Sequence, residues 1–108
     1  AAGITEKKLA RQAAENSLAD ARDGLMVQHK QLRYNLSSAY EDFDTQKLNI
    51  DVSQRVFEST SNKFEYGHAS SLELTNASMT LLTAQSDYVQ AILNLVNAQI
   101  ELKKLLNK

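Results

Sequence analysis

Large apolar residues recur every seven positions through the middle of the chain: Leu36, Phe43, Ile50, Phe57 and Phe64. Three positions after the first four of these stand Ala39, Gln46, Ser53 and Thr60. This is the heptad pattern of a coiled-coil helix, with bulk in one core column and small or polar residues in the other. Upstream, Leu18, Leu25 and Leu32 read as a seam one register over, which predicts a shift of the stripe near Leu32–Leu36. The last third of the chain is more regular. Leu74, Leu81, Tyr88, Leu95 and Leu102 form one column, and Ala77, Ala84, Ala91, Ala98 and Leu105 form the other. Two such helices, antiparallel across a short turn, can set the large side chains of one against the small ones of the other.

The second helix carries another stripe. Met79, Leu82, Val89, Leu93, Val96 and Ile100 face away from the first seam, by roughly 150° at about 100° per residue. Between the stripes runs a polar column that includes Glu73, Asn76, Thr80, Asp87, Asn94 and Glu101. A helix in a lone hairpin needs one apolar face. Two apolar flanks predict a helix with a neighbour on either side, in a curved wall of helices or in a self-associated bundle.

One stretch interrupts the helical pattern. Lys63 suits the last turn of a helix and Gly67 the left-handed position just beyond it. Ser70-Ser71-Leu72-Glu73 is a capping box: the Ser70 hydroxyl can accept from the Glu73 amide while the Glu73 carboxylate reaches back. Ala69 and Leu74 occupy the hydrophobic-staple positions. The expected fold is therefore all-α, a long antiparallel helical hairpin of coiled-coil type with one helix longer than the other. A single domain over 1–108 is expected, with helices at about 5–66 and 71–106 around a tip at about 67–70. Thr5 is the expected N-cap of the first helix. Gly24 leaves two alternatives, a continuous helix or a kink there. At 1.5 Å per residue the helices span about 90 and 54 Å, so residues before about Leu32 are expected to overhang without an intrachain partner.

Composition narrows the function. With 43% hydrophobic, 23% charged and no Pro, the chain is ordered and helical rather than disordered. Its net charge of −1 gives no general reason to expect nucleic acid or an anionic membrane as partner. There is no cysteine, which excludes disulfides, thiolate chemistry and Cys-based zinc sites. No apolar run is long enough for a transmembrane helix. The start does not read as a signal peptide, and the chain reads as a mature segment or a piece of a longer protein. No nucleophile–base arrangement, phosphate loop or metal-ligand spacing appears, so no enzyme and no cofactor are expected.

The tip and returning helix resemble a known family. Phe64-x-x-Gly67-x-x-Ser70-x-Leu72-Glu73-Leu74-x-x-Ala77, then Leu81-x-x-Ala84-Gln85, then Tyr88, Ala91, Asn94, Ala98 and Leu102, are similar to the TolC family of outer-membrane efflux proteins. The likeness is to the periplasmic tip of one internal repeat, more like the C-terminal one. Ala13, Leu18, Ala19 and Ala39-Tyr40 resemble that family's long preceding helix. The resemblance implies a trimeric duct, a β-barrel in the outer membrane continued by an α-barrel across the periplasm of a Gram-negative bacterium. This chain would be a hairpin of the periplasmic wall, because it lacks the alternating strands that a membrane barrel needs.

The resemblance also implies sites and partners. Tyr66, Gly67, His68, Ala69, Ser70 and Ser71 would dock a periplasmic adaptor protein and, through it, an inner-membrane pump. Glu73, Asn76, Thr80 and Asp87 would line the aperture and lumen. Glu73 matches the acidic position near the start of the family's returning helix; a second acidic position one turn on is Asn76 here, and an arginine of some members is Ala69. The residues allow plainer roles: turn chemistry for Gly67 and Ser70, a cap for Glu73, a solvated turn histidine for His68. Asp44, Asp51, Glu58 and Glu65 make an acidic column that reads either as a solvated face or as duct lining. Two competing readings are a periplasmic adaptor's own hairpin and a generic coiled-coil scaffold.

Overall fold

A computed structural model describes residues 2–107. It contains two helices, α1 (Ala2–Glu65) and α2 (Ser71–Leu106), packed antiparallel as one hairpin. The rod measures 98 × 21 × 13 Å. Its length is that of α1 alone, about 96 Å at 1.5 Å per residue.

α1 passes through Gly24 without a break. Of the two readings of that position the continuous helix holds. One glycine costs only about 1 kcal/mol against alanine, too little to stop a helix flanked by good formers. The expected start is corrected: α1 begins at Ala2, so Thr5 lies inside its first turns and does not cap it.

The expected shift of the seam is also corrected. From His29 to Thr60 the half-buried positions of α1 follow one another in unbroken steps of three and four: 29, 32, 36, 39, 43, 46, 50, 53, 57, 60. Leu18, Leu25 and Leu32 continue the column of Ala39 and Gln46. At Leu32–Leu36 the bulk moves from one column to the other, while the register stays the same.

α2 supplies the tightest part of the core. Ala77, Leu81, Ala84, Ala91 and Leu95 are its buried residues, and Ala91 is only 1% exposed. Alanines at that depth are what the bulky α1 column requires, since a larger residue would hold the helices apart. Phe43 and Tyr88 meet across the seam with ring centroids 5.6 Å apart and planes tilted by 31°. Farther from the tip, Gln99 Nε2 donates to Tyr40 Oη at 3.1 Å. The small or polar column of α1 carries one cost: Gln46 Oε1 is buried with no hydrogen-bond partner.

α2 ends against the middle of α1, where Leu105 and Leu106 share a groove with Leu25, Met26 and His29. Residues 3–28 are exposed throughout. The unpartnered part of α1 is thus slightly shorter than lengths alone suggested, ending near Gln28 rather than Leu32.

Candidate docking tip and polar face

The tip is built by two interlocking caps. At the end of α1 the His68 amide donates to Lys63 O at 2.7 Å and the Gly67 amide to Phe64 O at 3.1 Å. These are the six-to-one and five-to-two bonds of a Schellman motif, with Gly67 at φ 76° in the left-handed position. No atom lies within 4 Å of where a Gly67 Cβ would stand. The glycine is therefore needed for its backbone angle, not for space.

Three residues on, α2 starts at Ser70. The Ser70 Oγ accepts from the Glu73 amide at 3.1 Å, and Glu73 Oε2 accepts from the Ser70 amide at 3.3 Å. Both halves of the expected capping box form. Ala69 and Leu74, the staple positions, are each half-buried. Thr75 Oγ1 adds a bond to Ser71 O at 2.8 Å.

This geometry fixes a blunt end with a defined chemistry. Tyr66 is 77% exposed and Leu72 68%, on either side of the glycine turn. His68, Ser70 and Ser71 are exposed and Ala69 is half-buried. The sequence-expected tip residues Tyr66 to Ser71 are thus brought together on one surface. The backbone amides of Tyr66, Gly67 and His68 are already used within the turn. Those three residues therefore offer a partner no backbone donor.

The expected lining residues also share a surface. Glu73, Thr80 and Asp87 repeat every seven residues on one flank of the α2 seam, with Asn76 in the next column outward, and all are exposed. Thr80, Thr83 and Asp87 line a shallow groove of about 310 Å³ with Met79 and Ala84 and with Asn49 and Ser53 of α1. Asn35, Asp42 and Asn94 line its continuation away from the tip. We call this side the polar face.

The acidic column of α1 does not belong to it. Asp44 and Asp51 border a different groove, of about 780 Å³, together with Lys47, Leu48, Ile50 and Tyr88 on the other flank of the seam. One surface therefore cannot be lined by both Glu73–Asp87 and Asp44–Asp51. Heptad position held this separation, since the two acidic columns flank the seam on opposite sides. Among the described residues no group of three or more His, Cys, Asp or Glu could hold a metal ion.

The second apolar stripe of α2 lies bare along the rod. Met79 and Leu82 are 61% and 62% exposed, Val89 55%, Leu93 52%, Ile100 45% and Val96 42%. Among the described residues no helix is long and apolar enough to cross a membrane.

Comparison with known proteins bears on what this rod belongs to. Neither the curated proteins nor the solved structures yield a match to the chain. A family match does exist, to the outer membrane efflux protein family, and it covers residues 1–108. That span takes in the tip, both seams and the bare stripe, so the chain belongs to the outer membrane efflux protein family, a family of transport channels rather than catalysts.

Proposed function

We propose that this hairpin is a piece of the wall of a periplasmic α-barrel duct, that its tip docks a periplasmic adaptor protein, and that its polar face lines the duct. The observation that carries this reading is the pair of apolar flanks on α2. One is buried against α1, and the other, from Met79 to Ile100, is 42–62% exposed. A patch of several hundred Å² of aliphatic surface, with polar residues beside it, suits a neighbouring helix better than water.

The polar face then turns to the lumen. Glu73, Asn76, Thr80 and Asp87 offer two uncharged hydrogen-bonding side chains and two carboxylates, a surface that holds water. Glu73 serves its cap from the same position, and the two roles are compatible because the second carboxylate oxygen, Oε1, is free to face solvent while Oε2 bonds Ser70. At the tip, Tyr66, Gly67, His68, Ala69, Ser70 and Ser71 form the contact, and Tyr66 supplies its largest exposed ring. The duct is a trimer in the outer membrane of a Gram-negative bacterium, and its transport is driven by an inner-membrane pump held through the adaptor.

The test is made in the full-length protein that carries this hairpin. Tyr66→Ala and Ser71→Ala leave the glycine turn intact and should weaken chemical cross-linking to the adaptor; Gly67→Trp should abolish both cross-linking and export. Normal export and cross-linking in all three variants would remove the docking role. For the wall reading the measurement is sedimentation of the isolated chain. Self-association is expected, and a stable monomer at high concentration would leave the bare stripe without a purpose.

A further inference from the structure

Where α2 ends, far from the tip, lies a short groove of about 460 Å³ with two kinds of lining. Leu25 and Met26 of α1 and Leu105 and Leu106 of α2 supply its apolar surface. Much of that surface meets water, since Leu25, Met26 and Leu106 are 54%, 56% and 64% exposed. The rest of the lining is Arg22, His29, Lys30 and Arg33, with no carboxylate among them. Arg11 and Arg55 each hold a carboxylate one turn away, but Arg22, Lys30 and Arg33 form no ion pair among the described residues. Residues 22–33 and 101–107 carry five Lys or Arg against Asp23 and Glu101, on a chain whose net charge is −1. Asp23 is outside the lining, and Glu101 borders another groove, with Gln28 and Leu32.

We propose that this groove binds a free anionic amphiphile, a fatty-acid-like molecule with one acidic head and an aliphatic tail. The head lies between Lys30 and Arg33, which stand one turn apart on α1 and can share a single carboxylate or phosphate. The His29 ring can add a hydrogen bond. The tail runs along Leu25, Met26, Leu105 and Leu106 towards Arg22, whose aliphatic stem extends the apolar strip. Apolar burial drives the association, and the unpaired cations select the sign of the head. The carbonyl end of α2 opposes an anion here, and Lys103 and Lys104 in its last turn offset it. Size favours a small molecule over a helix. The α1 wall spans about 17 Å, the rise over residues 22–33, and the α2 wall stops at Leu106. The bare stripe of α2 can take a tail but not an acidic head, because no Lys or Arg precedes Lys103 in that helix. None of this depends on the duct reading, on the tip or on the polar face.

The experiment titrates laurate, below its micelle concentration, into the whole 108-residue chain and follows the heat. One laurate per chain is expected, with an affinity that falls as salt rises. Dodecyltrimethylammonium, which has a tail of the same length and a cationic head, should not bind there. Lys30→Glu combined with Arg33→Glu should weaken laurate at least about 10-fold, and Leu25→Asp should abolish binding, with circular dichroism verifying that both stay helical. Lys47→Glu, in the neighbouring groove, and Val89→Ser, on the bare stripe, should leave affinity unchanged. Equal uptake of the two amphiphiles overturns the proposal, and so does loss of binding in Val89→Ser with none in the Lys30–Arg33 double variant. Flotation with phosphatidylglycerol vesicles separates a free amphiphile from a bilayer. The chain should stay in solution, and capture that the double variant abolishes would overturn the proposal in favour of a lipid headgroup. Failure of any arm leaves the docking test untouched, since Tyr66→Ala and Gly67→Trp act at the other end of the rod.

Discussion

The two parts of α1 are chemically alike and physically different. Both carry a leucine or larger residue every seven positions, yet Leu36, Phe43 and Ile50 are half-buried while Leu18 and Leu25 are 68% and 54% exposed. The first set has α2 alongside, Leu25 meets only its last residues, Leu105 and Leu106, and Leu18 lies beyond its end. Helix propensity is shared by both, so the difference isolates what packing adds. In proteins most helix stability comes from packing an apolar face against a neighbour, which most of the overhang lacks. In this rod stability is therefore local to the paired section, and the overhang is the part most easily frayed.

The largest break in that comparison should come from one substitution made in both parts. Ala91→Phe, at a site 1% exposed, should overpack the seam and cost about 3 kcal/mol in urea unfolding, whereas Ala14→Phe in the exposed overhang should change stability by less than about 0.5 kcal/mol. Equal costs would mean the overhang is as ordered as the hairpin. Next, Gly67→Ala forces a Cβ into the left-handed region and should cost about 1–2 kcal/mol although it meets no atom. A neutral result would show that the turn relaxes to another shape.

Gln46→Leu sharpens the same contrast with the opposite sign. It removes a buried oxygen that has no partner, and should stabilise the hairpin by about 1 kcal/mol, read from the urea midpoint. If it destabilises, the glutamine has a partner across the seam. The smallest effect belongs to Gly24→Ala. The added methyl meets nothing within 4 Å, so up to about 1 kcal/mol of helix propensity should appear as slower amide exchange in residues 10–28, with exchange in the α2 core unmoved.

Much of the fold was legible because heptads and caps are local signals. The Gly67 angle and the reciprocal Ser70–Glu73 bonds could be read from residue types a few positions apart, and the structure forms both. The errors lay where local signals are ambiguous. Thr5 looked like a cap because a threonine before an acidic residue often is one, but Ala2, Gly3 and Ile4 ahead of it are also helical. The apparent slip at Leu32–Leu36 came from following bulk instead of phase: Leu25, Leu32, Ala39 and Gln46 are one column whose side chains change size. For the site, the tip residues were legible because they are contiguous. The groove on the other flank was not, because its lining joins residues nearly 40 positions apart, such as Asp51 and Tyr88.

By itself the sequence determined the two helices, their lengths, the turn and the stripes each helix carries, because these depend on spacing within one segment. Only the tertiary structure decided which flank of α1 meets which flank of α2. That choice set Asp87 on one face, beside Asn49 and Ser53, and Asp44 and Asp51 on the other, beside Tyr88. The reason is geometric: periodicity fixes the angle of a side chain about its own axis, but the faces of a hairpin exist only once two axes lie side by side.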